Sequence, residues 1–221
     1  VDKKGNLWVG TRKGLSRYNY FSDSFYRIGE KSIRTIYEDE REKLWIGTNT
    51  GLYTVKNDKL SKIENIEDTA IFSIIQNRDS LYLGTENGVL KYNLKDKSTE
   101  HILDEVKGIV KSFLKDSSGN IWVGNEKRWF KYTYDDILLF RGEMETKVFC
   151  IMEDSSKNIW IGTSEGLIKH NGRKGSYRSY INLSEDKYSL PDNNVGCIYE
   201  DRDENIWIGN LKMGGLSKIT K

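Results

Sequence analysis

The side chains here that could make or break bonds are two histidines, two cysteines and many carboxylates. His101 and His170 stand alone, and no His/Cys cluster has the spacing of a metal site. There is no G-x-S-x-G elbow, no phosphate-cradling loop and no paired His–Glu helix motif. Carboxylates recur as Glu38-Asp39, Glu153-Asp154 and Glu200-Asp201, each just ahead of an apolar strand. Appearing once per repeat, they read as turn formers, since an Asp side chain can bond its own backbone two residues on. Cys150 and Cys197 each lie ten residues before a tryptophan, where other repeats carry Thr35 and Ser112. That reads as a requirement for a small side chain. A Cys150–Cys197 disulfide would need demanding geometry and is not expected.

Binding chemistry is easier to place. Trp129 could stack on a sugar ring, with Lys127 and Arg128 hydrogen-bonding hydroxyls or carboxylates. Lys212 and Met213 form a second candidate contact, and Tyr188 a third. Each has a plainer reading. Leu stands elsewhere in the repeat where Trp129 stands here, which makes Trp129 a packed strand residue. The segment around Tyr188, Ser184 to Asn194, holds the only proline and reads equally as an ordered connector whose Leu190 caps a sheet edge.

The elements that must position these residues follow from a repeat. Leu7-Trp8-Val9-Gly10-Thr11 returns at Leu44–Thr48, Leu81–Thr85, Ile121–Asn125, Ile159–Thr163 and Ile206–Asn210, with aromatic spacings of 37, 37, 40, 38 and 47 residues. Self-similarity at that period signals a repeat architecture. One unit reads as strand (Ser32–Glu38), polar turn, strand (Leu44–Gly47), tight turn with Gly51, strand (Leu52–Val55), turn and strand (Lys59–Ile63). Four short antiparallel strands in about 40 residues make the blade of a β-propeller. The second strand is apolar on both faces, so both faces should be covered. The expected fold is all-β: one propeller segment over 1–221 with six blades, at about 1–30, 31–67, 68–104, 105–144, 145–190 and 191–221. The first lacks its first strand and the last its fourth, and the whole reads as part of a larger propeller cut from a longer protein.

In four units the turn after the second strand is Thr-x-x-Gly: Thr11–Gly14, Thr48–Gly51, Thr85–Gly88 and Thr163–Gly166. Two units depart, at Asn125-Glu126-Lys127-Arg128-Trp129 and Asn210-Leu211-Lys212-Met213-Gly214-Gly215. Equivalent loops of a propeller share a face, and loops on a rigid scaffold are where binding tends to reside.

Composition removes other classes. The 221 residues carry 35 basic and 33 acidic side chains, so nothing electrostatic favours nucleic acid or an anionic membrane. No stretch of about 18 apolar residues could cross a bilayer. No cofactor, no metal and no catalytic set are expected.

The unit Glu-Asp-x-x-x-Asn-Ile/Leu-Trp-Ile/Val-Gly-Thr-x-x-Gly-Leu resembles the two-component regulator propeller repeat, as does the connector Tyr188-Ser189-Leu190-Pro191-Asp192-Asn193-Asn194-Val195. The third unit fits least, with Tyr82 for Trp and Gln76-Asn77 for Glu-Asp. Asp116-Ser117-Ser118-Gly119-Asn120-Ile121-Trp122 also resembles the Asp-box of sialidases, itself a structural turn, with the Asp one residue too far from the Gly. The regulator resemblance implies the periplasmic sensor region of a membrane receptor, typically a hybrid two-component histidine kinase that detects polysaccharide breakdown products. It implies an oligosaccharide ligand, the rest of the parent receptor and a homodimer as partners. The competing expectations are a propeller enzyme acting on polysaccharide or lactone, which would gather acidic or His residues at the central opening, and a purely structural assembly protein.

Overall fold

The structure, a computed structural model, describes residues 1–171, 176–212 and 215–220. Among these there is no helix. The chain divides into two compact units, Val1–Val110 and Lys111–Lys221.

In the first unit β1 (Trp8–Thr11), β2 (Gly14–Asn19) and β3 (Ser24–Gly29) form a three-stranded sheet. A four-stranded sheet follows from β4 (Ile33–Glu38), β5 (Leu44–Thr48), β6 (Gly51–Lys56) and β7 (Lys59–Lys62). The next comprises β8 (Ser73–Asn77), β9 (Ser80–Thr85), β10 (Gly88–Asn93) and β11 (Thr99–Ile102). The second unit begins with β12 (Val110–Lys115), β13 (Ile121–Asn125), β14 (Trp129–Tyr132) and β15 (Leu138–Arg141). Its middle sheet is β16 (Val148–Glu153), β17 (Asn158–Thr163), β18 (Gly166–Asn171) and β19 (Tyr177–Tyr180). Its last has three strands, β20 (Val195–Glu200), β21 (Ile206–Asn210) and β22 (Leu216–Ile219). The six sheets, short at the two expected places, match the reading of the repeat.

Within each unit the sheets pack face to face. Trp45 and Leu52 of the second sheet meet Ile74, Leu81, Leu83 and Leu90 of the third. Ile46 and Tyr53, on the opposite face, meet Leu15 and Ile28 of the first. In the second unit Trp122 packs on Val148, Ile159 and Ile161, and Trp160 on Val195, Ile206 and Ile208. Burying an aromatic ring removes about 150–250 Å² from water, about 4–6 kcal/mol before entropy is subtracted. The double-sided apolar pattern of the second strand is thus the record of a neighbour on each side.

A ring of this size carries an N–H that must also be satisfied. Asp39, 3% exposed, supplies the acceptor for Trp45 Nε1 at 2.8 Å through Oδ2, while Oδ1 takes the backbone N–H groups of Arg41 and Lys43 at 2.9 and 2.8 Å. The same cradle joins Asp2 to Trp8, Asp116 to Trp122, Asp154 to Trp160 and Asp201 to Trp207, at 2.7–2.9 Å. An Asn four residues after the Asp adds its amide in each of these four. The sequence reading took these carboxylates as turn formers. They are that, but their other oxygen pins the next strand's tryptophan. The Asp116 turn, with its likeness to an Asp-box, has the same geometry as the rest. In the third sheet both partners change together: Asn77 Nδ2 donates to Tyr82 Oη at 3.0 Å.

The residue before the Asp fastens consecutive sheets. Glu38 accepts from Lys3 N at 2.9 Å, and Gln76 from Glu40 N at 2.9 Å. Glu153 accepts from Ser117 N and Oγ, and Glu200 from Ser155 N and Oγ, at 2.7–2.8 Å. In every case the donor follows the cradle Asp of the preceding sheet.

The small residue of the first strand is explained by a bulge. The register shifts between Ile33 and Thr35, Val148 and Cys150, and Val195 and Cys197, which sets the second of each pair opposite Gly47, Gly162 or Gly209. A Cβ on those glycines would stand 2.6 Å from Thr35 Cγ2, 2.5 Å from Cys150 Sγ and 2.5 Å from Cys197 Sγ. The motif glycine is a close-approach site and the residue over it must be small.

Two outcomes follow. Asp154→Ala leaves the buried indole N–H of Trp160 without an acceptor and should cost about 2–3 kcal/mol in urea unfolding. The indole of Trp207 first, and then the amides of Asn205, hold the Asp201 carboxyl down to about 2, against about 3.9 in an unfolded chain. Its stabilisation is therefore complete above the unfolded value and lost as pH falls toward about 2. Asp201→Asn should flatten that part of a stability–pH profile followed by tryptophan fluorescence.

Candidate functional site

The turns that follow the second strand are closed by their own side chains. Thr11, Thr48, Thr85 and Thr163 donate Oγ1–H to the carbonyl of the glycine three residues on, at 2.8–3.1 Å. Those glycines have φ between 106° and 146°, which a side chain would strain. Where Asn replaces Thr the turn changes. Asn125 Oδ1 accepts from Lys127 N and Arg128 N, both at 2.8 Å. Asn210 Nδ2 instead donates to Asp192 O at 2.6 Å.

In the second unit each turn is tied to a connector that enters either its own sheet or the following one. Thr146 N donates to Lys127 O, Ser164 N to Lys147 O, Gly166 N to Asn193 O and Leu211 N to Asn194 O, at 2.7–2.9 Å. These bonds link the two departing turns and the connectors into one hydrogen-bonded surface. An open basin of about 460 Å³ lies on it, lined by Ser164, Glu165, Asn182, Asp192 and Lys212 among others. The Asp192 carboxyl is held below the ordinary carboxylate range by the Asn194 side chain, with Lys212 adding to it. The basin presents fixed acceptors beside a cation, a set suited to hydroxyl- or carboxylate-bearing ligands.

The structure separates the candidate residues. Lys212 is exposed and lines the basin. Lys127 is exposed on the same stitched surface. Arg128 is engaged with Glu145, its Nη2 2.9 Å from Oε1. Tyr188 is 86% exposed, has Lys187 Nζ 5.0 Å from its ring, and lines a separate groove of about 350 Å³ with Leu183 and Leu190. Leu190 itself is buried against Trp160 and Leu167, the capping role read from the sequence. Met213 lies outside the described residues.

Trp129 requires a correction. It is 0% exposed and packs with Trp122, Val148, Ile151 and Ile168, so its ring presents no face to a sugar. Trp129 opens β14 and pairs with Gly124 as Leu52 does with Gly47, and its ring fills the space over Gly142, where a Cβ would stand 2.4 Å from it.

Neither histidine nor cysteine marks a reactive centre. His170 is 4% exposed between Trp122 and Phe140, and burial, with nearby Lys131, pushes its pKa down. His101 is exposed, 3.5 Å from Glu67. Both cysteines are free thiols, and burial pushes Cys150 up to about 12, far from a nucleophilic thiolate. Among the described residues no group of three His, Cys, Asp or Glu side chains is placed to hold a metal ion, and no helix is long and apolar enough to cross a membrane.

Face-packed antiparallel sheets of three or four strands, five pinned by a tryptophan and one by Tyr82, define a β-propeller. Residues 28–50, 142–165 and 189–212 match the family model described as Two component regulator propeller. It is 26% identical over 137 residues to "Histidine kinase P4" of Formosa agariphila, which covers 53% of this chain and 10% of that protein. Among solved structures, the extracellular domain of a hybrid two component system from B. thetaiotaomicron is similar with a TM-score of 0.80 and 24% identity, over 95% of this chain and 31% of that one. A virginiamycin B lyase from Staphylococcus aureus, solved with quinupristin, matches with a TM-score of 0.73 and 10% identity, over 100% of this chain and 82% of that one. The chain thus spans about a tenth of its curated relative and about a third of that extracellular domain. These structural likenesses show the propeller fold.

Trp129→Ala should cost about 3–5 kcal/mol of stability, and Trp129→Phe less. Chemical denaturation of the two variants against the parent chain checks this.

Proposed function

We propose that this chain is a non-catalytic sensor and scaffold propeller in the extracytoplasmic, periplasmic part of a two-component signalling receptor, where it recognises a poly- or oligosaccharide-derived signal or joins a receptor dimer. The observation that carries this reading is the regulator propeller repeat, found in a fold similar to the extracellular domain of a hybrid two component system. The stitched surface of the second unit supports it, because tied turns hold Lys212 at a polar basin and Lys127 exposed on the same surface, without gathering a nucleophile, base and acid. Both compact units belong, in this reading, to one propeller body, and that body is larger than six blades. Tyr199 and Leu216, 65% and 66% exposed, occupy the face of the last sheet whose counterpart one sheet earlier buries Trp160 and Leu167, so a further blade would cover them.

A propeller enzyme is the second reading, favoured by the likeness to a lyase. Titration calorimetry against neutral and acidic oligosaccharides, with product analysis of the same mixtures, separates the two. The sensor reading expects saturable binding without turnover, and a loss of about three- to tenfold in affinity for an acidic oligosaccharide in Lys127→Ala and Lys212→Ala. Turnover that disappears on changing a single carboxylate would refute it.

A further inference from the structure

The hairpin of β2 and β3 carries five aromatic residues within nine positions: Tyr18, Tyr20, Phe21, Phe25 and Tyr26. The repeat does not demand them, and four are 54–101% exposed. An exposed aromatic group of this size calls for a partner. It borders a cleft of about 770 Å³ in the first unit, lined by Arg17, Asn19, Tyr20, Phe21, Tyr26 and Asp58 among others. Arg17 pairs across the strands with Trp8 on one side and Tyr26 on the other, so the three share a face.

We infer that this cleft is a binding site for a neutral oligosaccharide. Three observations point to that chemistry. The first is charge. Arg17 Nη1 lies 3.2 Å from Asp58 Oδ1, an ion pair that cancels any preference for an anionic or cationic ligand. The guanidinium keeps spare N–H donors and the carboxylate spare acceptors, side by side, which is the complement of adjacent hydroxyls that each donate and accept. The second is the lining. No aliphatic residue lines the cleft; its apolar residues are all aromatic. Flat rings with electron-rich faces suit the C–H faces of a pyranose.

The third is rigidity. The Tyr18 hydroxyl donates to the Asp23 carboxylate, which folds the hairpin tip back on itself. Asn19 Oδ1 accepts from Phe21 N at 2.9 Å and Ser22 N at 3.3 Å, fixing Phe21 outward. Tyr20 stands edge-on to Tyr18 at 4.8 Å between centroids. The platform is set before a ligand arrives, which lowers the entropy cost of binding.

The site deepens the sensor reading and rests on it only for the ligand's role as a signal. It is separate from the Lys127 and Lys212 surface. The test is calorimetry of the whole chain with cellohexaose, xylohexaose and mannohexaose. Phe21→Ala and Tyr26→Ala should each weaken binding at least about tenfold, with the melting temperature unchanged because both rings are exposed. Tyr26→Phe should retain most of the affinity, and Tyr134→Ala, an exposed tyrosine of the other unit, all of it. Binding that survives both alanine changes overturns the cleft and leaves the sensor reading standing. Absence of binding by all three hexaoses at millimolar concentration overturns the cleft as well, while the acidic oligosaccharides and the lysine variants still decide the sensor reading. Self-association in sedimentation that Phe21→Ala abolishes, without glycan binding, would assign the patch to a second copy of the chain instead.

Discussion

A carboxylate that accepts an indole N–H is the bond on which this structure depends. Burying a tryptophan between sheets gains several kcal/mol, and a stranded nitrogen, as at Trp129, gives part of that back. The cradle Asp solves this from the turn just ahead of the strand. One oxygen closes the turn on backbone N–H groups and the other reaches the ring, as at Asp39 and Trp45. Turn and core are therefore one unit. In the third sheet the exchange of both partners keeps a bond between Asn77 and Tyr82.

Much of this was legible in the sequence. The spacing of the six motif aromatics set the number of sheets, and the missing strands at either end were visible as missing β-rich runs. The Thr-x-x-Gly turns behave as their glycines required. The small residue ahead of each tryptophan was also readable as a constraint, although the reason, a bulge that lays Thr35 or Cys150 over a glycine, lies in register and not in residue type. The indole bonds were hidden because a sequence shows a turn-forming Asp and a core Trp six residues apart but not that both ends of one carboxylate are in use.

The candidate site was legible only in part. Treating each departure from the repeat as a loop exposed Trp129 too readily. Its alignment with the leucines of other repeats was the better signal, since Trp129 pairs with Gly124 as Leu52 does with Gly47, and that register sends the ring to the core. The same attention to motif positions passed over Tyr18 to Tyr26, whose signal is aromatic density in a hairpin where the repeat asks for none. Function in such a body is written in what the repeat leaves free: the polar basin around Lys212 and the aromatic cleft around Arg17, each on a frame that its own turns hold still.

The glutamate or glutamine that reaches back to the preceding sheet has a consequence for how such chains are made. The fifth copy brings an acceptor for the copy behind it, Glu153, and a donor for the copy ahead, Ser155, whereas the fourth has Lys115 in the acceptor's place. A stretch of gene encoding a copy like the fifth therefore carries both halves of its own joinery. Tandem duplication of such a copy restores this seam bond without a compensating change, while the hairpins between seams are left to diversify.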